Sequence, residues 1–259
     1  MNYTFSTLMI LTFDHGPIRE LQLNRPPVNA LTGELIVALG QAIQAAPQQG
    51  VRALILSGLP GRFSGGLDVP HLLTLGRPAI AELWRELYAL LKALAVSPLP
   101  IAAAITGHAP AGGTVLALFC DWRVMAQGDF RIGLNEVQVG IPLPPIILAG
   151  LRRLVGPREA ERLAVGGLLI SPQQALEVGL IDEIAPPHQV IETALGWCKS
   201  RLALPAEAMA ATRHEARADL IEMFQPDLGP ELQKVTASWW SPETQNTLHA
   251  LVEKLGKKR

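Results

Sequence analysis

The segment Val51 to Leu56 is apolar throughout except for Arg52, and it runs straight into Gly58-Leu-Pro-Gly-Arg-Phe-Ser-Gly-Gly-Leu-Asp68. An apolar run of that length suits a strand buried on both faces, so the chain must build a sheet with cover on either side. A second β-branched and Ala-rich run, Ile101 to Thr106, passes through a small-residue turn into an apolar helix beginning near Gly112 and Gly113. Glycines placed directly after buried strands let backbone approach a ligand closely and take up positive φ. Taken alone, the loop from Gly58 to Asp68 reads equally well as a mobile surface turn.

The rest of the chain fits around these two runs. Leu8 to Phe13 and Ile18 to Leu23 read as strands about the turn Asp14-His15-Gly16. Thr32 can cap a helix whose apolar positions Leu35, Ile36, Leu39 and Ile43 recur at helical spacing, and Pro47 to Gly50 end it. The first unit is therefore strand, strand, helix, strand. Pro70 to Leu75 predicts a short helix and Pro78 to Val96 a long one, with Leu83, Leu87, Leu90 and Leu91 on one stripe and Trp84 and Tyr88 read as core. Trp122 to Ala126 and Phe130 to Ile132 predict short strands and repeat the strand, strand, helix rhythm without a clean sequence period. Helices follow over Ile146 to Val155 and Pro157 to Gly166; Ser171-Pro172 opens another that Gly179 closes, and Leu180 to Ile184 is the last strand expected. From Gln189 the texture is helical, broken by Pro205, by Pro226 to Pro230 and by Ser241-Pro242. The boundary is set at 188, giving a mixed core over 1–188 and a helical region over 189–259, where Trp239 and Trp240 could serve core or subunit contact.

Backbone N–H groups at a helix start have no partner within the helix and favour negative charge. About two dozen residues beyond the Gly112 turn one carboxylate, Glu136, sits among Leu134, Val137, Val139 and Ile141. Anion-stabilising amides followed by a lone base in an apolar loop are what proton abstraction beside a carbonyl requires. The other chemistries lack their residues: there is no Gly-x-Ser-x-Gly elbow, no Walker lysine, no Rossmann fingerprint after the first strand and no Cys or His metal cluster. His108 is nearest the candidate site but reads as structural or solvent-facing. With 49% hydrophobic residues the chain can bury a site away from water, and a net charge of −1 with interspersed signs shows no nucleic-acid or membrane footprint. The tail Lys254, Lys257, Lys258, Arg259 reads as a solvated end. Cys120 and Cys198, far apart and without ligand spacing, are expected as reduced structural thiols in a cytoplasmic protein.

Several stretches together carry a resemblance: Phe63-Ser-Gly-Gly-Leu-Asp68, Pro110-Ala-Gly-Gly113, Cys120-Asp121, Gly133-Leu-Asn-Glu136 and Gly140-Ile141, with Leu23-Asn-Arg-Pro and Asn29-Ala-Leu near the start. In this order, over about two thirds of the chain, they resemble the crotonase (enoyl-CoA hydratase/isomerase) superfamily, and most closely its Δ3,Δ2-enoyl-CoA isomerases. The resemblance implies an α/β fold of ββα spiral turns with a C-terminal helical region that trimerises, as a homotrimer or dimer of trimers. It implies an acyl-CoA substrate, with coenzyme A as part of that substrate and no separate cofactor or metal. By position, the N–H groups of Leu67 and Gly112 would form the oxyanion hole. Ser64, Gly65, Gly66, Asp68 and Val69 would lie along the adenosine and pantetheine end, and Asn135 would line the acyl pocket. No motif fixes the basic residues that meet the CoA phosphates; Arg62 is the candidate.

One departure from the family pattern is informative. Hydratases of this family carry two catalytic glutamates, which align here with Val115 and Glu136. Adding water across a double bond is work for two carboxylates, one for the water and one for the α-proton. A single carboxylate suffices for a 1,3-proton shift that takes a C2 proton from a 3-enoyl thioester and returns it to C4. Burial should raise the pKa of Glu136 and make it a better base. Hydrolysis, dehalogenation, decarboxylation or hydration of another acyl-CoA is the second expectation, and a non-catalytic acyl-CoA-binding or RNA-associated protein the third.

Overall fold

The structure, a computed structural model, describes residues 9–256. The start of the first expected strand, Leu8, and the tail residues Lys257, Lys258 and Arg259 lie outside the described residues. Strands β1 (Ile10–His15) and β2 (Ile18–Leu23) form the expected antiparallel hairpin, and α1 (Gly33–Ala45) follows, with Thr32 Oγ1 accepting the Leu35 N–H. Then come β3 (Ala53–Ser57), β4 (Gly61–Arg62), α2 (Val69–Leu72) and α3 (Arg77–Val96). The next turn is β5 (Ile101–Ile105), β6 (Gly107–Pro110) and α4 (Gly112–Leu118). The one after that is β7 (Trp122–Ala126), β8 (Ile132–Gly133), α5 (Pro145–Val155) and α6 (Pro157–Val165). Helix α7 (Pro172–Glu177) opens on a Ser171–Gln174 capping box, and β9 (Glu183–Ala185) starts three residues later than the expected strand. Five helices complete the described chain: α8 (Val190–Leu202), α9 (Ala206–Ala216), α10 (Ala218–Glu222), α11 (Gly229–Trp239) and α12 (Pro242–Gly256).

The strands sort into two sheets. The large sheet runs β1-β2-β3-β5-β7-β9, parallel from β2 onward, and the small one runs β4-β6-β8, also parallel. Each turn of the spiral therefore gives one strand to each sheet and then a helix. The N-terminal unit differs, since both its strands lie in the large sheet. Strands β4 and β6 were not foreseen. Gly61-Arg62 and Gly107-His-Ala-Pro110 lack strand composition, and they pair because Gly107 lies against Gly61 so closely that a Cβ on Gly107 would fall 1.9 Å from the Gly61 carbonyl carbon.

Both faces of the large sheet are covered, as the apolar runs require. Alternate residues Leu21, Leu54, Leu56, Ala103 and Ile105 face a core shared with α1 and α3. The intervening Ile18, Ala53, Ile55, Ala102, Ala104 and Val124 face Val190, Ala194, Leu195 and Cys198 of α8. Trp84 and Tyr88 are core residues of α3, and the Tyr88 hydroxyl donates to Glu231 Oε1 at 2.6 Å, which ties α3 to α11. Cys120 and Cys198 are buried free thiols, and burial pushes both up to about 12. No helix among the described residues is long and apolar enough to cross a membrane.

A buried charge cluster joins the C-terminal helices to this core. Arg213 clamps Asp121 through Nε and Nη2, both at 2.8 Å, and Arg217 Nη1 reaches the same carboxylate at 3.0 Å. Asp121 Oδ2 also accepts the Ile101 N–H at 2.7 Å. The remaining Arg217 and Arg213 donors reach carbonyls at the ends of α3 and α4, including Phe119 O at 2.8 Å and Ser97 O at 2.6 Å. Those are the carbonyls a helix leaves unpaired at its C-terminus. A cavity of about 580 Å³ lies among Arg123, Arg153, Arg213 and Arg217. Most of their donors are engaged by Asp121, Asp182, Asp219 and carbonyls, so it is a seam of this tie. Asp121→Ala strands two largely buried guanidinium groups and should cost about 3 kcal/mol or more of stability in a urea titration.

Candidate active site

Two loops meet above the small sheet: residues 63–68, which follow β4, and Pro110-Ala-Gly-Gly113, which joins β6 to α4. The first is laid down against residues 28–31 as if it were another strand. Gly65 N–H donates to Val28 O at 2.7 Å, Leu31 N–H to Gly66 O at 2.7 Å and Asp68 N–H to Leu31 O at 3.0 Å. Asn29 organises this pairing. It is fully buried at φ +52, its amide nitrogen donates to Phe63 O at 3.1 Å, and its own carbonyl accepts Ser64 Oγ at 2.8 Å. Asn tolerates the left-handed region, which is why it can stand here.

The side chains of Ser64 and Asp68 are hydrogen-bonded within the fold and shape this loop. The Ser64 hydroxyl is buried; besides donating to Asn29 it accepts the Gly66 N–H at 3.2 Å. Asp68 Oδ2 pairs with Arg25 Nη2 at 2.6 Å, and Asp68 Oδ1 accepts the His71 N–H to cap α2, whose first residue is Val69. Gly65 packs on Val28, where a Cβ would come within 3.2 Å of the valine side chain. Arg62 is exposed on β4 and has no ion pair among the described residues.

The second loop is held under strain. Ala111 adopts φ +49 and ψ −120, a conformation that costs an L-residue of order 1–3 kcal/mol unless its surroundings enforce it. Its N–H donates to Gly133 O at 2.8 Å, which locks it in place. Helix α4 then starts against the first loop. A Cβ on Gly112 would lie 3.1 Å from Gly66 Cα, one on Gly66 3.1 Å from Gly112 N, and one on Gly113 2.6 Å from Ser64 O. The N–H groups of Gly112 and of Leu67, the residue after Gly66, thus belong to two backbone segments in direct contact. Among the described residues neither has an acceptor. Such groups are rarely left unpaired away from water, so a pair of them on touching loops marks a place for an external acceptor.

Glu136 enters from β8. Pro110 pairs with Gly133 in the small sheet, and three residues later the chain turns through a single 3-10 turn, Glu136–Val139, behind Asn135. Glu136 is half-buried as a residue, but its Oε2 is out of contact with solvent and has no hydrogen-bond partner among the described residues. The carboxylate end sets its chemistry: burial raises it to about 7, against a small lowering by its own backbone, with no contribution from another ionisable group. Leu134 and Ile141 are buried beside it, whereas Val137, expected in the same apolar wall, is 46% exposed because the 3-10 turn rotates it outward. Asn135 Oδ1 is likewise buried and unpartnered. On α4, one turn from Gly112, stands Val115, 2% exposed. His108 is exposed; its Nδ1 accepts the Arg131 N–H and its ring meets Phe130 edge-on.

The sequence reading missed Asn29 as an organiser, the strain at Ala111, and Thr114, whose buried hydroxyl accepts the Gly133 N–H at 2.8 Å. Asn29 could have been suspected from its place after Arg25-Pro-Pro-Val. Thr114 offered no signal, because its hydroxyl finds its partners, Ala109 O and the Gly133 N–H, only once β6 and β8 are paired.

A family model described as enoyl-CoA hydratase/isomerase matches residues 14–258. The chain is 33% identical to mitochondrial enoyl-CoA delta isomerase 1 of Mus musculus over 98% of its own length and 90% of that protein. It is 34% identical to a probable enoyl-CoA hydratase of Mycobacterium tuberculosis over 74% of each. Among solved structures, human mitochondrial delta3-delta2-enoyl-CoA isomerase superposes with a TM-score of 0.92 at 31% identity, covering 97% of this chain and 99% of that one.

The loop contact is directly testable with two glycines. Gly113→Ala drives a methyl into Ser64 O and should cost about 1–3 kcal/mol in urea unfolding. Gly196→Ala, on an exposed position of α8 with nothing within 4 Å, should instead stabilise by about 0.5–1 kcal/mol.

Proposed function

The chain belongs to the enoyl-CoA hydratase/isomerase family, and from that premise we propose that it is a Δ3,Δ2-enoyl-CoA isomerase acting in fatty acid breakdown, with Glu136 as its only proton-transferring group. The observation that carries the reading is the Glu136 carboxyl itself: its Oε2 is buried and without a partner, burial raises it to about 7, and no second ionisable group among the described residues contributes to that shift. The position from which a hydratase of this family would present its other glutamate is the buried Val115.

In this mechanism the thioester oxygen of a 3-enoyl-CoA accepts hydrogen bonds from the N–H groups of Leu67 and Gly112. Glu136 as carboxylate removes a proton from C2, and the electron pair moves into the thioester to give a dienolate. The two amides stabilise that charge where it develops; losing one such donor typically costs about 3–4 kcal/mol of barrier. The protonated Glu136 then returns the proton to C4, leaving the double bond between C2 and C3. Asn135, with an amide oxygen lacking a partner, lines the acyl side, and loop 63–69 lies along the CoA arm. Arg62 is the exposed cation available to the CoA phosphates. No separate cofactor takes part.

A pKa near 7 suits this task because Glu136 must be a base in one half-reaction and an acid in the next. The apolar walls serve the same end, since a dry pocket denies water the place it would need for hydration. A homotrimer or dimer of trimers is part of the same reading: apart from Arg213, α9 leaves its side chains largely uncovered within the chain, and Leu204 beside it is 45% exposed. A cytoplasmic location is also part of it and rests on the two buried free thiols, although the mammalian relatives carry the word mitochondrial in their names.

Purified protein assayed against a panel of CoA esters should convert 3-enoyl-CoA to trans-2-enoyl-CoA and hydrate trans-2-enoyl-CoA far more slowly; the reverse preference would overturn the assignment. Glu136→Gln should abolish isomerisation while CoA-ester binding persists. The pH dependence of kcat/KM should rise through about 7, because only the carboxylate form removes the C2 proton. Stability should run the other way. A carboxyl whose pKa is raised on folding favours the folded state at low pH and loses that contribution as pH climbs through about 7. Glu136→Gln should therefore be more stable than the parent at pH 8, by about 1–3 kcal/mol, and show little difference at pH 4, below the unfolded value of 4.5.

A further inference from the structure

The segment that carries Glu136 is gripped at both ends by a threonine hydroxyl, and the two threonines come from distant parts of the chain. At its start, Thr114 Oγ1 on the first turn of α4 donates to Ala109 O at 2.6 Å and accepts the Gly133 N–H at 2.8 Å. One fully buried hydroxyl thus joins β6, α4 and β8. Gly133 has no room to drift, since it sits at φ +148 and a Cβ there would fall 2.2 Å from Leu168 O. The carbonyl of the same residue accepts the Ala111 N–H. At the far end, Thr244 Oγ1 donates to Gly140 O and is itself oriented by Ser241 Oγ at 2.9 Å. Gly140 is left-handed at φ +74, and a Cβ there would come within 3.1 Å of Thr244 Cα. Thr244 is 1% exposed on α12, a helix that packs on the Glu136 turn and also on α2, just after Leu67.

We propose that Thr114 and Thr244 are positioning residues that fix the Glu136 turn relative to the amides of Gly112 and Leu67, one from the core side and one from the C-terminal helix. The inference rests on the reading of Glu136 as the base. Thr114 ties the turn to the loop that carries Gly112, and Thr244 ties it to the helix that packs beside Leu67. A single carboxylate that serves two carbons in succession needs its turn held at both ends, because a misplacement of about 1 Å can cost 100-fold in rate. Loosening either end also admits water to a carboxyl kept out of solvent. The charged groups near the turn do not oppose this. Glu243, His249, Glu253 and Lys254 of α12 are all exposed, and α4 carries no ionisable side chain.

The test compares Thr114→Val, Thr244→Val, Thr114→Ser and Thr244→Ser in the full chain. It reads kcat and KM for a 3-enoyl-CoA, thermal melting, and the Glu136 titration midpoint by NMR of carboxyl-labelled protein. The valine variants should lose about 10- to 100-fold in kcat with KM within about threefold, and their Glu136 midpoint should fall below the parent value, while the serine variants should recover most of both. Valine variants that fold and keep both the parent kcat and the parent midpoint would overturn the proposal, since a merely structural threonine lowers the melting temperature alone. If Thr114→Val does not fold, Thr244→Val decides by the same criteria. If the parent protein does not isomerise a 3-enoyl-CoA, the functional reading fails, and the NMR midpoints still decide whether these threonines hold Glu136 in place.

Discussion

Direct backbone contact between two loops is the constraint from which the rest of the site follows. Gly66 against Gly112, and Gly113 against Ser64 O, leave no space for a Cβ at either crossing. Any side chain there would push apart the two amides that lack acceptors. The strain at Ala111 belongs to the same arrangement: its unusual backbone turns α4 sharply out of β6, and the bond from its N–H to Gly133 holds it there. The large sheet, covered on both faces, supplies the rigid base on which those loops are delivered.

The second consequence is a carboxyl kept in an environment that disfavours its charge. Glu136 forms no ion pair and its Oε2 no hydrogen bond among the described residues, so the folded state bears a desolvation cost that raises this carboxyl to about 7. The neighbouring Asn135 Oδ1 repeats the pattern on a smaller scale. Elsewhere the chain treats buried charge differently. Asp121 is met by two arginines and a backbone N–H, and Glu20 by Ser57 and His15. Glu136 Oε2, without a partner among the described residues, stands apart from these paired acids.

Much of the secondary structure was legible in the residues. The hairpin about Asp14-His15-Gly16, the Thr32 cap of α1, the stripe of α3 and the Ser171-Pro172 start of α7 each rest on local chemistry, and local chemistry survives folding. Strands β4 and β6 were not legible, because glycine, histidine, alanine and proline have no intrinsic reason to extend and do so only where another backbone is close enough to pair. The late start of β9 has a related cause: Leu180 and Ile181 are apolar because they pack in the core, not because they join the ladder.

For the site, the chain by itself showed one carboxyl in an apolar stretch, a valine at position 115, and glycines where backbone must approach backbone. These are properties of residue type and order. Only the tertiary structure decided that the Ser64 hydroxyl and the Asp68 carboxylate are taken up in shaping a loop, that Val137 faces outward, and that Asn29, Thr114 and Thr244 hold the pieces together. Val137 is turned outward by its own 3-10 turn, but the others each involve a hydrogen bond between segments remote in sequence, and no local pattern records which partner a buried polar group will meet.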